Sequence, residues 1–162
     1  MDDITIRKAA LYDLSEIEGV YCHARSFMKE SNNPTQWGDH YPPTDLIISD
    51  IEKGELYVVC SERIEGVFVF TDGEDPTYSE IDGEWKNSLP HRAIHRVASL
   101  GRIRGMLSRI ADFCFSFCNN IKIDTHEDNV VMQKALCRYG FSPCGTVYLE
   151  NGEKRIAYQM TK

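Results

Sequence analysis

The chain has 162 residues, 42% hydrophobic and 27% charged, with 25 acidic against 18 basic side chains and a formal net charge of −7. That is the length of a single domain, 1–162, long enough to bury about 70% of the surface its unfolded chain exposes and so to need no staples. The acidic balance argues against a broad nucleic-acid footprint while leaving room for a local positive pocket, and no apolar run approaches the ~20 residues of a membrane span.

Met1-Asp2-Asp3 opens acidic, with neither the basic stretch nor the apolar run of a secretory leader. Ile4-Thr5-Ile6-Arg7 alternates and predicts a first strand. Asp13 and Glu16 have capping-box spacing, and Leu14, Ile17, Val20 and Tyr21 recur at helical intervals, predicting a helix to about Met28. The following KESNNPTQWGDHYPP is a loop by composition, yet it carries Trp37 and Tyr41, which either plug the domain or line a ligand site. Thr44 is placed to cap a short helix through Lys53, with Asp45 at its positive end.

Leu56–Cys60 and Gly66–Phe70 are β-rich runs joined by a polar turn, an expected antiparallel pair. TDGEDPTYSEIDGEWKNSLPH is a long polar insertion of the kind that is usually functional or mobile. Ala93–Ser99 predicts a strand, Ile103–Phe117 a helix, and Ile121–Thr125 another strand. Asn129 caps a helix with Val131, Met132, Ala135 and Leu136 on its apolar face, and Gly140 ends it. Phe141–Leu149 and Arg155–Met160 form a hairpin about Asn151-Gly152. The expected order is β-α-α-β-β-β-α-β-α-β-β, a mixed α/β (α+β) fold: antiparallel early, then a parallel crossover.

Cysteines at 22, 60, 114, 118, 137 and 144 include no CxxC pair and no zinc spacing, so no metal is expected. Cys114 and Cys118, four apart in an apolar stretch, read as small buried hydrophobes, and a reducing cytoplasm fits the chain best. Cys144 has no evident paired histidine for a nucleophilic role.

The chemistry concentrates in HRVASLGRIRGML, residues 95–107, where a strand feeds a helix. The first helical N–H groups have no intrahelical partner, and together with the helix dipole they make an anion site. Gly105 permits close backbone approach, while Arg102 and Arg104 add charge of phosphate-matching geometry.

Residues 102–107, Arg-Ile-Arg-Gly-Met-Leu, resemble the pyrophosphate loop of the GCN5-related N-acetyltransferase (GNAT) superfamily, Arg/Gln-x-x-Gly-x-Gly/Ala. Arg102 and Gly105 match, while Leu107 stands where a small residue is usual and Val97-Ala98-Ser99 where Val-x-Pro is frequent. The family's Asn after the fifth strand and its later Gly-Phe correspond to Asn129 and Gly140-Phe141, and the element order agrees over nearly the whole chain. IHRVAS, IDTHEDN and RIAY are similar to stretches of uncharacterised bacterial members.

The resemblance implies a mostly antiparallel sheet of six to seven strands with about four helices. It also implies one parallel pair splayed for acetyl-CoA as co-substrate. Val97 and Ser99 would then pair with pantetheine, the amides of Arg102, Ile103, Arg104, Gly105, Met106 and Leu107 would hold the pyrophosphate, and Asn129 would reach the cofactor, cap its helix, or both. Leu107 is compatible if its side chain points into the core. The acceptor would be a small-molecule or peptide amine, and pairing through late strands would give a homodimer.

Acetyl transfer needs a base for the ammonium, polarisation of the thioester and a proton for the thiolate. The family's leaving-group Tyr falls at Leu136, so another group or a water must serve, or turnover is feeble. His95 shares strand parity with Val97 and is a proton-transfer candidate. His126 lies just past a parallel strand, where α/β ligands gather, and Tyr148 is a possible thiolate donor. Each of these also has a plain structural reading. Trp37, Tyr41 and Trp85, with the acidic run Asp72, Glu74 and Asp75, are candidates for shaping an amine-binding site. Two rival functions stand beside the enzyme: a degenerate acyl-CoA-binding sensor or scaffold, and a phosphate-binding module unrelated to coenzyme A.

Overall fold

The computed structural model describes residues 3–162; of the acidic opening, Met1 and Asp2 lie outside the described residues. In chain order the elements are β1 (Thr5–Lys8), α1 (Leu14–Glu30), α2 (Thr44–Glu52), β2 (Leu56–Cys60), β3 (Ile64–Asp72), β4 (Asp82–Gly83), β5 (Arg92–Ser99), α3 (Met106–Phe115), β6 (Asn120–Thr125), α4 (Val130–Tyr139), β7 (Ser142–Tyr148) and β8 (Lys154–Thr161). Single 3-10 turns lie at Leu11–Asp13 and Pro76–Tyr78. The mixed sheet runs β1-β2-β3-β5-β6-β8-β7-β4, with β5 and β6 parallel. It has eight strands because β4, only two residues long, has no hydrophobic pattern by which the sequence could announce it. The described residues form two compact units, 3–70 with 96–106, and 71–95 with 107–162.

In the first unit, α1 buries Ile17, Val20, Tyr21 and Ala24, spaced three to four apart, and α2 buries Ile47 and Ile51. They pack with Leu56 and Val58 of β2 and Val67 and Val69 of β3. Two cap assignments differ from expectation. The Asp13 side chain does not cap α1; its two oxygens accept from the Arg7 guanidinium at 2.8 and 2.9 Å, and one also accepts from Ala10 N at 2.8 Å. A bidentate charged partner outcompetes a neutral cap bond. Thr44 is the first residue of α2 rather than its cap, with Pro43 at the cap position, and its hydroxyl donates to Glu18 Oε1 at 2.5 Å.

Asp13 and Glu65 are both buried, at 4% exposure, and arginine hydrogen bonds hold each carboxyl below its usual range. A depressed carboxyl pKa contributes stability above the unfolded-state value, and that stability is lost as pH falls through the folded value. Thermal melts should therefore show Tm falling as pH drops below about 4, and Arg7→Met and Arg102→Met should each flatten that slope.

In the second unit, β6 pairs with β8 from Asn120↔Thr161 to Thr125↔Ile156, and β8 turns back onto β7 at Asn151-Gly152. The long polar insertion, expected to be functional or mobile, is clasped to the sheet. Gln159 Nε2 donates to Asn87 Oδ1 at 3.1 Å and to Asn120 Oδ1 at 2.8 Å, while Gln159 Oε1 accepts from Lys86 N at 2.8 Å. Asn120 Nδ2 donates to Asn87 Oδ1 at 3.0 Å and to the Pro90 carbonyl at 3.2 Å. Buried amides at 159 and 120, 0% and 1% exposed, need such partners, and the insertion supplies them. Its β4 rung approaches β7 so closely that a Cβ on Gly145 would lie 2.2 Å from the Asp82 carbonyl oxygen, which only glycine avoids.

Candidate active site

The strand-to-helix junction in the first unit turns on Gly101 at φ +73 and Gly105 at φ +67. Leu100 N donates to the Glu65 carbonyl at 3.0 Å, and Gly101 N to Ser99 Oγ at 3.3 Å. Arg102 differs from its expected role as an open phosphate charge. Its Nε donates to Glu65 Oε2 at 3.0 Å, its NH2 group pairs with the other oxygen, and Ser61 Oγ donates to that same oxygen at 3.0 Å. The buried Glu65 carboxylate thus compensates Arg102 and anchors the loop. Arg104 and Gly105 are exposed, Ile103 is half-buried, and Met106 is buried against Gly66. Any anion here meets backbone donors at the start of α3 and the Arg104 charge.

Arg96 has φ +49, a left-handed backbone rare for a residue with a Cβ. It breaks the alternation of β5, so a spacing of two no longer sets His95 and Val97 on a common face; the parity argument does not carry over. The compensation is ionic: Arg96 Nε and NH2 donate to Asp50 Oδ2 and Oδ1 at 3.1 and 3.0 Å, with Asp50 3% exposed. Arg96 NH1 also lies 3.5 Å from Tyr41 Oη, and Tyr21 Oη donates to the Arg96 carbonyl at 3.2 Å. Trp37 packs edge-on to Tyr21, centroids 5.6 Å apart, and lies half-buried against the core. Tyr41, 6.2 Å from Trp37, stays 38% exposed. Val97 and Ser99 are half-buried on either side of buried Ala98.

In the second unit β5 pairs in parallel with β6 at Arg92↔Ile121 and Ala93↔Lys122. His95 follows, 17% exposed, with Nε2 3.0 Å from Asp75 Oδ2. The Tyr78 ring stacks on the imidazole at 5.8 Å and 25°. Tyr78 Oη donates to Asp124 Oδ2 at 2.6 Å. Burial, reinforced by Asp124, raises the Tyr78 hydroxyl well above its usual value, so it remains a donor. Burial pushes the Asp124 carboxyl up against the pull of that bond. Asp75 is held below the usual range, first by its bond from His95. A carboxylate, an imidazole and a stacked phenol in a partly open position can accept and hold a proton.

The remaining candidates are more locally engaged. His126 Nδ1 accepts from Asp128 N at 3.0 Å, and Asn129 Oδ1 caps α4 by accepting from Met132 N at 3.0 Å. Tyr148, 42% exposed, donates to Asp82 Oδ2 at 2.5 Å, which raises its hydroxyl pKa. Trp85 Nε1 donates to the Tyr78 carbonyl at 3.1 Å, and its ring lies under the Lys122 ammonium at 4.1 Å. Leu107 is buried at 7%, its side chain in the core. Leu136 is 0% exposed and presents no proton donor.

Sequence reasoning missed Tyr78, Glu65 and Asp50, and saw Asp75 only as part of an acidic run. One local signal was available: Asp75-Pro76 is a helix cap followed by proline in the first position, and Asp75 Oδ1 does accept from Thr77 N at 2.9 Å. Among the described residues, no group of three or more His, Cys, Asp or Glu is placed to hold a metal ion. No described helix is long and apolar enough to cross a membrane.

No family model and no curated protein matches this sequence. Solved structures do. A GNAT-family acetyltransferase from Streptococcus agalactiae superposes with a TM-score of 0.89 at 28% identity, covering 98% of this chain and 95% of that one. The chain belongs to the GNAT superfamily. A GNAT-family acetyltransferase from Listeria monocytogenes has a TM-score of 0.73 at 22% identity, with 98% and 95% covered. A candidate acetyltransferase from Salmonella typhimurium, solved with its cofactor acetyl-CoA, has a TM-score of 0.62 at 17% identity, with 98% and 93% covered. These two share the GNAT fold.

Proposed function

We propose that this GNAT protein is an acetyl-CoA-dependent N-acetyltransferase that moves the acetyl group directly to a primary amine of a small molecule or peptide. The observation that carries the reading is the loop from Gly101 to Gly105: two left-handed glycines, an exposed Arg104, and an Arg102 anchored on Glu65, all leading into the first turn of α3. The loop's amides and those of Met106 and Leu107 would take the diphosphate, Val97 and Ser99 the pantetheine amides, and Asn129 the cofactor arm beside its capping bond.

His95 takes the ammonium proton. The freed amine attacks the thioester carbon, the C–S bond breaks, and the thiolate leaves with a proton. Leu136 cannot supply that proton. His126 and water remain as sources; Tyr148, tied to Asp82 and harder to ionise, is the weaker donor. Half-buried Trp37 and Trp85 and the more exposed Tyr41 shape the acceptor side, and the acidic insertion favours a cationic acceptor. We place the reaction in the cytoplasm, in one domain that pairs as a homodimer.

The buried Leu136 favours a second reading, an acyl-CoA-binding domain without turnover. Calorimetric titration of acetyl-CoA followed by free-thiol release over an amine panel separates the two. Release with any amine supports the enzyme, whereas tight binding and no thiol from any amine leaves only the binding domain. ATP protecting the fold from melting as well as coenzyme A does would overturn both. Gly105→Val tests the loop itself. A Cβ there meets nothing within 4 Å, so crowding inside the protein is absent, but φ +67 is strained for a β-branched residue. The loop must shift, and we expect the acetyl-CoA Kd to rise about tenfold or more, a loss of about 1.4 kcal/mol. Unchanged affinity in a folded variant removes this loop from the cofactor site.

A further inference from the structure

We infer that Asp75 is a positioning residue that fixes His95 in the tautomer protonated on Nε2, leaving Nδ1 as the nitrogen that accepts the amine proton. This rests on the reading of His95 as the base, and it adds which nitrogen acts and what sets it.

Neutral imidazole has one donor nitrogen and one acceptor nitrogen, and a carboxylate only accepts. With Asp75 Oδ2 3.0 Å from His95 Nε2, the proton belongs on Nε2. The carboxylate cannot swing away easily, because its other oxygen accepts from Thr77 N at 2.9 Å in a turn stiffened by Pro76. The ring plane is set separately. Tyr78 stacks on the imidazole at 25°, and Tyr78 is itself buried and tied to Asp124 of β6 at 2.6 Å. The insertion that read as a polar loop thus delivers an in-plane acceptor and a face-on plate to one imidazole. A base that must receive a proton repeatedly gains from a fixed tautomer and orientation, and loses turnover when the tautomer inverts.

Asp75→Asn is the informative variant because Thr77 dictates how the amide sits. Thr77 N–H needs an acceptor, so the Asn oxygen goes to Thr77 and the Asn NH2 faces His95. Nε2 must then become the acceptor and the proton moves to Nδ1, blocking the base. We expect 15N-resolved NMR of His95 to show Nε2–H in the parent protein and Nδ1–H in Asp75→Asn. We expect kcat for thiol release to fall about a hundredfold or more, with the KM for acetyl-CoA unchanged. A merely structural Asp75 would move neither the tautomer nor kcat selectively. Nδ1–H in the parent protein overturns the proposal, as does an unchanged tautomer in Asp75→Asn or an inverted one with full kcat. If Asp75→Asn does not fold, the parent spectrum still decides. If the parent releases no thiol from any amine, the acetyl-transfer reading fails, and the spectra still tell whether Asp75 sets His95.

Discussion

Asp50→Ala is expected to lower stability by about 3 kcal/mol, the usual cost of stranding one member of a buried ion pair. For a chain of this size that corresponds to a drop in Tm of roughly 6–12 °C. Asp50 is 3% exposed and accepts two Arg96 hydrogen bonds, so its removal leaves a guanidinium without its main counter-charge. A second component is expected, because Arg96 holds φ +49, a backbone that persists only where its surroundings hold it, and Asp50 is the side chain that grips it twice. Asp50→Asn, which keeps the shape and one acceptor, should cost less. Arg96→Gly should trade the lost pair against relief of the backbone. Denaturant unfolding of the three variants measures this; a loss under about 0.5 kcal/mol in Asp50→Ala, the range of an ordinary surface change, would show that the pair does not hold the strand.

His95→Ala should reduce kcat/KM by about 10²–10⁴-fold, the contribution expected of a positioned general base, while the acetyl-CoA Kd stays the same. Deleting the imidazole removes the proposed proton acceptor and the stack on Tyr78, but Tyr78 keeps its bond to Asp124 and its place in the buried cluster with Ala93, Val147 and Ala157. The fold should therefore survive, and melting with calorimetry checks this. Equal losses in binding and rate would mean structural damage and would remove His95 from the reaction.

Legibility tracked the sequence distance over which each feature is decided. The α1 stripe of Leu14, Ile17, Val20 and Tyr21, with Leu14 only partly buried, the Asn129 cap with Gly140 behind it, and the Asn151-Gly152 turn all formed as read, because each is settled among near neighbours. Asp13 and Thr44 show the opposite outcome. Both are good local cap residues, and both were claimed by side chains outside their own helix, Arg7 and Glu18. Arg102 read as a charge available to a phosphate, but nothing local indicated that Glu65, 37 residues earlier, would pair with it. Asp75 advertised its turn through Pro76, whereas its partner His95 lies 20 residues further on.

By itself the sequence determined the order of the helices and of every strand but β4, the hydrophobic faces, and the loop motif by which the chain resembles the GNAT proteins, because periodicity and turn chemistry act over a few residues. Only the tertiary structure decided which charges are spent on structure, at Arg96–Asp50 and Arg102–Glu65, and which carboxylate stands against the His95 imidazole. Those outcomes depend on burial and on partners remote in the chain, and a charge has no assigned role until the fold sets what stands opposite it.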